Sequence, residues 1–152
     1  MSSFEGQVLD RLMRGTSLKL PENKTIKSRD GLERHFFRTK FWSVSPKTYG
    51  DVVFQPDPLP ETLIDRELNK KERSKILDYP ADAKPIFFGH YWLQGKPLPV
   101  RSNICCLDYS AVKYGRLVAY RYDKADKGKV LDPDKYVWLY VDPSRDEDSE
   151  RI

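Results

Sequence analysis

Four short apolar runs in the second half of this 152-residue sequence constrain its fold more than any other feature. They are Pro85–Phe88, Ile104–Leu107, Leu117–Tyr122 and Tyr136–Val141. Each run is too short for a typical helix and is bounded by turn-forming residues, which is the pattern of buried strands. Tyr114-Gly115, between the second and third runs, predicts a hairpin-like return. We therefore expect a layered α/β protein whose strands after residue 84 are mostly antiparallel.

The first half of the chain has weaker signals. Apolar residues recur at helical spacing over residues 4–14, and residues 25–28 fit a short strand closed by an Asp-Gly turn. Basic and aromatic residues mix without a clear period over residues 34–42, so both a helix and an extended segment fit there. Three prolines exclude regular structure from residues 55–60. The charged stretch 61–77 fits either an exposed helix or a poorly ordered insertion.

The composition indicates one modest core. Apolar residues make up 39% of the chain and charged residues 33%, while an aromatic content of 12% argues against disorder. We therefore expect a single region over residues 1–141, followed by a polar and frayed tail over residues 142–152.

Charge and cysteine usage limit the classes of partner. The net charge of +4 is spread along the chain without a Lys/Arg block, which does not favour a nucleic-acid partner. No apolar run approaches the length of a membrane span, and charges in the first 25 residues leave no signal-peptide core. Cys105 and Cys106 are adjacent, so on a strand one thiol is buried and the other faces the opposite layer. These features predict a cytoplasmic protein without a membrane partner.

The pair Gly89-His90 is the strongest candidate for chemistry that the residues alone provide. It follows an apolar run, and ligands of layered α/β folds bind beyond the carboxyl ends of the strands. The glycine lets the backbone turn sharply, so that His90 projects from the end of the strand. A single histidine in such a place is more often a structural residue, and both interpretations remain open at this point.

Three stretches of the chain carry an ordered set of motifs. They are PIFFGHYWL at residues 85–93, NICCLDYSAVKYGRLVAYRYD at residues 103–123 and LPENKTIKSRDGLERHFFRTKFW at residues 20–42. This order resembles the C-terminal part of the calcineurin-like metallophosphoesterases, in the bacterial branch similar to serine/threonine phosphatases or diadenosine tetraphosphatases. The resemblance covers roughly residues 5–123 and is most specific between residues 84 and 122.

The resemblance implies a β-sandwich flanked by helices, of which this chain would be the C-terminal part. Family members hold two divalent ions (manganese, iron, zinc or magnesium) and hydrolyse phosphoester substrates with a metal-activated water. His90 matches the family's Gly-His metal ligand. Beside the same cleft would lie Gly89, Tyr91 and a loop formed by Asp108, Tyr109 and Ser110.

The sequence departs from the family in its metal ligands. Many relatives have a second histidine where this chain has Trp92, so the chain resembles the single-histidine version seen in the branches similar to protein phosphatases. The family's Asp-x-His, Gly-Asp-x-x-Asp and Gly-Asn-His-Glu or -Asp motifs are missing, and we expect this chain to begin after them. Its two histidines are His35 and His90, whereas two divalent ions need about six ligands each. The isolated chain is therefore expected to be inactive, with a second chain supplying the missing N-terminal half.

The basic-aromatic stretch 34–42 has two interpretations. Arg34 and Arg38 could clamp a phosphate, because the guanidinium offers forked donors to it. Alternatively the aromatic residues pack and both arginines are solvated or stack on rings, which we favour.

Three function classes follow. One is a fragment of a dinuclear-metal phosphoesterase. The alternative is a non-catalytic binding or interaction module that keeps the same fold. A third class, a phosphate or nucleic-acid binder using residues 34–42, predicts binding that weakens steeply with salt.

Overall fold

The computed structural model describes residues 3–6, 15–21, 24–27, 31–54, 59–76, 79–128, 130–142 and 144. The chain is a mixed α/β protein with small sheets, and it divides into two compact units, Met1–Tyr79 and Pro80–Ile152. The single region predicted over residues 1–141 stays a prediction. So does the frayed tail, since most of residues 142–152 lie outside the described residues.

The first unit combines short strands with short helices. Its described elements are β1 (Thr16–Lys19), β2 (Ile26–Lys27), β3 (Glu33–Arg34), β4 (Phe36–Thr39), α1 (Tyr49–Val52), α2 (Glu61–Ile64) and α3 (Lys70–Arg73). β1 pairs antiparallel with β4, and β2 pairs antiparallel with β3. Residues 4–6 are helical, whereas residues 7–14 of the predicted helix lie outside the described residues. Residues 55–58 of the predicted irregular segment lie outside them as well.

The described residues decide two of the alternatives that the sequence leaves open in the first unit. Residues 34–42 begin as extended backbone, in β3 and β4. Phe36 is exposed and Phe37 is buried, which is the alternation expected of a strand with one covered face. The charged stretch 61–77 contains two separate helices rather than one. Asn69 caps α3 in a reciprocal pair with Glu72.

The core of the first unit packs around Tyr49, on the first turn of α1. Its ring lies 5.2 Å from that of Phe37, and its hydroxyl donates to Glu72 Oε1 at 2.6 Å. Burial, followed by this bond to a carboxylate, raises the pKa of Tyr49 to about 12. The buried cluster consists of Leu18, Leu20, Ile26, Phe37, Tyr49, Val52, Val53, Leu59, Leu63 and Leu68.

The second unit is built from short strands and 3-10 turns. Its described strands are β5 (Ile86–Phe88), β6 (Ile104–Cys106), β7 (Asp108–Tyr109), β8 (Arg116–Tyr120) and β9 (Tyr136–Tyr140). β7, β8 and β9 form an antiparallel sheet, as the sequence predicts. The first two predicted strands also exist, but β5 pairs with β6 in parallel, with Ile86 opposite Ile104. No helix among the described residues is long and apolar enough to cross a membrane.

One expectation for this unit is wrong. Asp108 and Tyr109 were expected in a loop, but they form β7, in which Asp108 lies opposite Leu117. The return through Tyr114-Gly115 therefore joins β7 to β8. The reason is local, because the 3-10 turn Ala111–Lys113 reverses the chain so tightly that the residues before it pair with β8.

The described residues of the second unit cover one face of the antiparallel sheet. Its inner face packs Val118 and Tyr136 against Cys105, Tyr109 and Leu131. On the opposite face, two directly opposed pairs, Leu117–Leu139 and Ala119–Val137, point outward. Of these, Leu117 is 59% exposed, Leu139 52% and Val137 41%. An apolar sheet face of this kind is unusual for a surface that contacts only water.

Candidate functional site

His90 lies just beyond the carboxyl end of β5, in a segment that is tied to the neighbouring strands at both ends. The Leu107 amide donates to the Phe88 carbonyl at 2.9 Å, and the Leu93 amide donates to the Asp108 carbonyl at 2.9 Å. The segment between these bonds is therefore a short arch over the end of the parallel pair.

The arch has a buried centre and exposed flanks. Tyr91 is buried, with its ring edge-on to Phe88 at 5.3 Å, while His90 and Trp92 on either side are exposed. Both flanking residues have positive φ, 68° for His90 and 47° for Trp92. Such backbone is uncommon for residues other than glycine and persists where the surroundings fix it, often at functional sites. Anchoring Tyr91 inward thus presents the His90 ring outward, 6.4 Å from the Trp92 ring.

The parallel pairing brings two predicted site residues into contact. The carboxyl ends of β5 and β6 meet at the same edge, and Phe88 lies opposite Cys106. A Cβ atom added to Gly89 would lie 3.6 Å from the Asp108 Cβ. Gly89 and Asp108 are therefore neighbours, and His90 is the next residue along the chain.

The described donors around His90 do not by themselves fit a two-metal site. Among the described residues, no three His, Cys, Asp or Glu side chains gather closely enough to hold an ion. Asp108 Oδ1 already accepts the Ser110 amide at 3.1 Å, and His35 is exposed in the first unit. Two divalent ions with about six ligands each need far more than His90 and Asp108.

Tyr109 anchors a loop in the second unit. Its hydroxyl accepts the Leu98 amide at 3.1 Å and lies 3.4 Å from the Leu98 carbonyl. The side chain is buried, and burial raises its pKa. These contacts describe a structural residue that also borders the pocket described next.

A pocket of about 440 Å³ opens in the second unit. We call it the arginine pocket. It is lined by Leu93, Gln94, Gly95, Tyr109, Ser110, Lys113, Tyr114, Gly115, Arg116 and Tyr140. The lining contains two cationic side chains, four hydroxyl groups and no carboxylate.

Arg116, the first residue of β8, is the most constrained side chain of this pocket. Its guanidinium donates to the Gly95 carbonyl and to the Tyr140 hydroxyl, and it lies over the Tyr140 ring at 4.5 Å from the centroid. Its Nε is buried without a hydrogen-bond partner among the described residues. The side chain is therefore held by its tip while part of its donor capacity remains unused.

Gly115 makes the wall of the arginine pocket possible. A Cβ atom at this position would lie 2.2 Å from the Tyr109 carbonyl oxygen and 2.8 Å from that of Ser110. The adjacent Ser110 and Tyr114 have positive φ of 64° and 58°. The chain thus reverses here with backbone packed directly against backbone, a close approach that only glycine permits.

Lys113 links the pocket to the arch. Its ammonium lies over the Trp92 ring, 3.8 Å from the centroid, in a cation–π contact. Trp92 in turn neighbours His90. The predicted metal ligand and the arginine pocket are therefore connected through one aromatic side chain.

Arg34 and Arg38 occupy two different strand pairs of the first unit. Arg34 is on β3, opposite Ile26, and Arg38 is on β4, opposite Ser17. In the same stretch Phe37 and Phe41 are buried, and Phe41 packs edge-on to Trp42 at 5.2 Å. A phosphate clamp by the two arginines stays a prediction.

The adjacent cysteines are free and buried. Cys105 Sγ lies 2.8 Å from the Tyr136 hydroxyl. Burial raises the pKa of Cys105 to about 11 and that of Cys106 to about 12. Both thiols therefore stay protonated near neutral pH, which makes them poor nucleophiles and poor metal ligands.

Sequence reasoning missed the cationic pocket residues, Lys113 and Arg116. One signal was present, since an arginine that follows glycine and begins an otherwise apolar strand must place its charge near the end of the sheet. Its partners Gly95 and Tyr140 are distant in sequence, so they could not be identified.

Comparison with protein-family models, with curated proteins and with solved structures gives no match.

Proposed function

We propose that this chain is the C-terminal part of a calcineurin-like metallophosphoesterase, a hydrolase of phosphoester substrates, and that His90 is one ligand of its two-metal site. The observation that carries the proposal is the position of His90, exposed beyond the carboxyl ends of a parallel strand pair and next to the Gly89–Asp108 contact. Ligands of α/β folds bind at such ends. The quoted motifs of residues 85–93 and 103–123 support the same assignment.

The remaining ligands would come from another segment or a second chain. His90 and Asp108 are too few for manganese, iron, zinc or magnesium at a two-metal site, so the 152-residue chain is expected to be inactive by itself. Gly89 leaves room beside Asp108, and the buried Tyr91 fixes the direction of His90. In this role the chain positions one metal ligand, His90, and the other ligands come from elsewhere.

The outer face of the β7–β8–β9 sheet supports a missing second layer. Leu117, Leu139 and Val137 are exposed on it, and a sandwich would bury them against a facing sheet. We propose that the absent N-terminal half provides that sheet. The two free cysteines are compatible with a cytoplasmic location, where thiols stay reduced.

Co-expression tests this proposal. The chain is expressed together with an N-terminal segment that carries the Asp-x-His, Gly-Asp-x-x-Asp and Gly-Asn-His motifs, taken from upstream in its own reading frame, from a neighbouring gene or from a member of the proposed family. Hydrolysis of p-nitrophenyl phosphate is then measured with manganese. We expect hydrolysis that falls at least about 100-fold in His90→Ala, because loss of a ligand should cost more than the roughly 10- to 100-fold that loss of a ligand's hydrogen-bond partner costs. The matched control is His35→Ala, an exposed histidine of the first unit, which should leave the rate unchanged. Equal rates in the two variants would reject His90 as a ligand.

The alternative function is a non-catalytic binding module, and the arginine pocket is the observation that favours it. The pocket has two cations and no carboxylate, and it needs no metal. If co-expression yields no activity while the isolated chain is monomeric and binds a ligand in this pocket, the module replaces the enzyme as the better proposal.

A further inference from the structure

We infer that the arginine pocket binds a small organic anion, with the oxyanion group of the ligand, a phosphate or a carboxylate, held by Arg116 and Lys113. This inference goes beyond the proposed phosphoesterase role. It requires neither a metal ion nor a second chain, so it stands or fails separately.

Charge is the first argument. Lys113 and Arg116 both line the pocket, and no acidic side chain does. A concave surface with charges of one sign concentrates ions of the opposite sign. An anion is therefore the class of ligand that this lining selects.

The fixed guanidinium is the second argument. Arg116 is held by the Gly95 carbonyl, the Tyr140 hydroxyl and the Tyr140 ring, so its position is set before any ligand arrives. These two hydrogen bonds use one N–H of each terminal nitrogen and leave the others for an acceptor. A preorganised guanidinium loses little side-chain entropy on binding, which favours forked recognition of an oxyanion.

The size and the remaining lining define the rest of the ligand. A volume of about 440 Å³ suits a small organic molecule rather than a single ion. Ser110 and Tyr114 contribute hydroxyl groups, and the tyrosine rings offer flat apolar surface. A ligand with one oxyanion and one planar ring matches both halves of this lining.

Titration of the isotope-labelled 152-residue chain in EDTA, followed by amide chemical shifts, tests the inference. The probes are phenyl phosphate, benzoate and neutral benzamide. We expect saturable shifts centred on Gly95, Ser110, Gly115 and Arg116 with one or both anions and none with benzamide. The phosphate and carboxylate arms identify which oxyanion the pocket prefers. Equal shifts with benzamide, or no shifts with either anion, would overturn the inference.

Variants localise the binding. Arg116→Gln should weaken the anion at least about tenfold and Lys113→Gln about threefold, since each removes a charge-assisted contact. The matched control is Arg121→Gln, an exposed arginine directly after the last residue of β8 that does not line the pocket, with less than a twofold change. Lys113 is exposed, so Lys113→Gln should fold normally and tests anion binding even if Arg116→Gln does not fold. If Arg116→Gln does not fold and Lys113→Gln binds the anion with unchanged affinity, the proposal that this pocket binds the oxyanion is overturned.

Discussion

In the first unit, strands and helices enclose a core around Tyr49, whereas in the second unit the described residues cover one face of the β7–β8–β9 sheet. The exposed face of that sheet is apolar, with Leu117 and Leu139 directly opposed. The buried apolar cluster of the first unit thus lies between its own strands and helices. The second unit offers a surface that a further layer could cover.

The two units also differ in backbone strain. Of the described non-glycine residues with positive φ, Ser45 lies in the first unit, while the second contains His90, Trp92, Ser110 and Tyr114. These four residues belong to the arch and to the wall of the arginine pocket. The positive-φ residues of the second unit therefore lie at both candidate sites, and such backbone persists only where its surroundings fix it.

The largest expected effect tests the enclosed core of the first unit. Phe37→Ala should lower the free energy of unfolding by about 3–4 kcal/mol, because it empties a ring-sized space beside Tyr49. Phe36→Ala, on the opposite face of the same strand, should cost less than about 1 kcal/mol. Urea denaturation measures both, and equal losses would mean that this core is not enclosed as described.

A second substitution tests the tight reversal of the second unit. Gly115→Ala should destabilise that unit by about 2–3 kcal/mol, because the new methyl group meets the Tyr109 and Ser110 carbonyl oxygens. Gly89→Ala, whose methyl group would make only ordinary contact, should cost less than about 1 kcal/mol. Hydrogen exchange of the β8 amides measures the difference, and a tolerated Gly115→Ala would contradict the packing.

A smaller effect concerns the polar contact in the first core. Tyr49→Phe should cost about 1–2 kcal/mol, because the Glu72 carboxylate loses the hydroxyl that donates to it. Tyr114→Phe, at a tyrosine that is 70% exposed, is the control and should change stability by less than about 0.5 kcal/mol. Thermal unfolding compares the two variants. Unchanged stability in Tyr49→Phe would mean that the hydrogen bond to Glu72 does not stabilise this core.

Alkaline pH should weaken the second unit. Folding raises the pKa of Cys105 to about 11 and that of Cys106 to about 12, above the usual thiol value of about 9. The thiolates therefore form more readily in the unfolded chain, so stability is fully present below about pH 9 and declines towards pH 12. Melting curves between pH 7 and about pH 11 measure this decline, which Cys105→Ala should reduce. A melting temperature independent of pH would show that the thiols are not buried.

The smallest expected change in stability concerns the exposed sheet face. Replacing both Leu117 and Leu139 by threonine keeps a strand-forming side chain and should alter the free energy of unfolding by less than about 0.5 kcal/mol. It should nevertheless reduce self-association, measured by sedimentation, because the apolar face shrinks. A decrease of more than about 2 kcal/mol in the free energy of unfolding would mean that this face is already covered, and the two units would then not differ in this respect.

Four of the five described strands of the second unit, β5, β6, β8 and β9, were predictable because their apolar runs are short and bounded by turn residues. Their pairing was not, since the parallel contact of β5 with β6 depends on the intervening segment rather than on either run. The loop expected at Asp108 was implied by the family resemblance, which cannot show that this residue pairs with Leu117 of β8. The contacts of Arg116 could not be predicted from the sequence, because Gly95 and Tyr140 approach it only after the sheet has formed.

The most direct test of the central proposal is the metal content of this chain, alone and co-expressed with the segment that carries the missing motifs. After dialysis against manganese, we predict no tightly bound ion on the isolated chain and two on the completed protein. His90→Ala should lose at least one of them, while His35→Ala should keep both. Two ions on the isolated chain, or full metal content in the completed His90→Ala protein, would contradict the proposal that His90 is one ligand of a site completed from elsewhere.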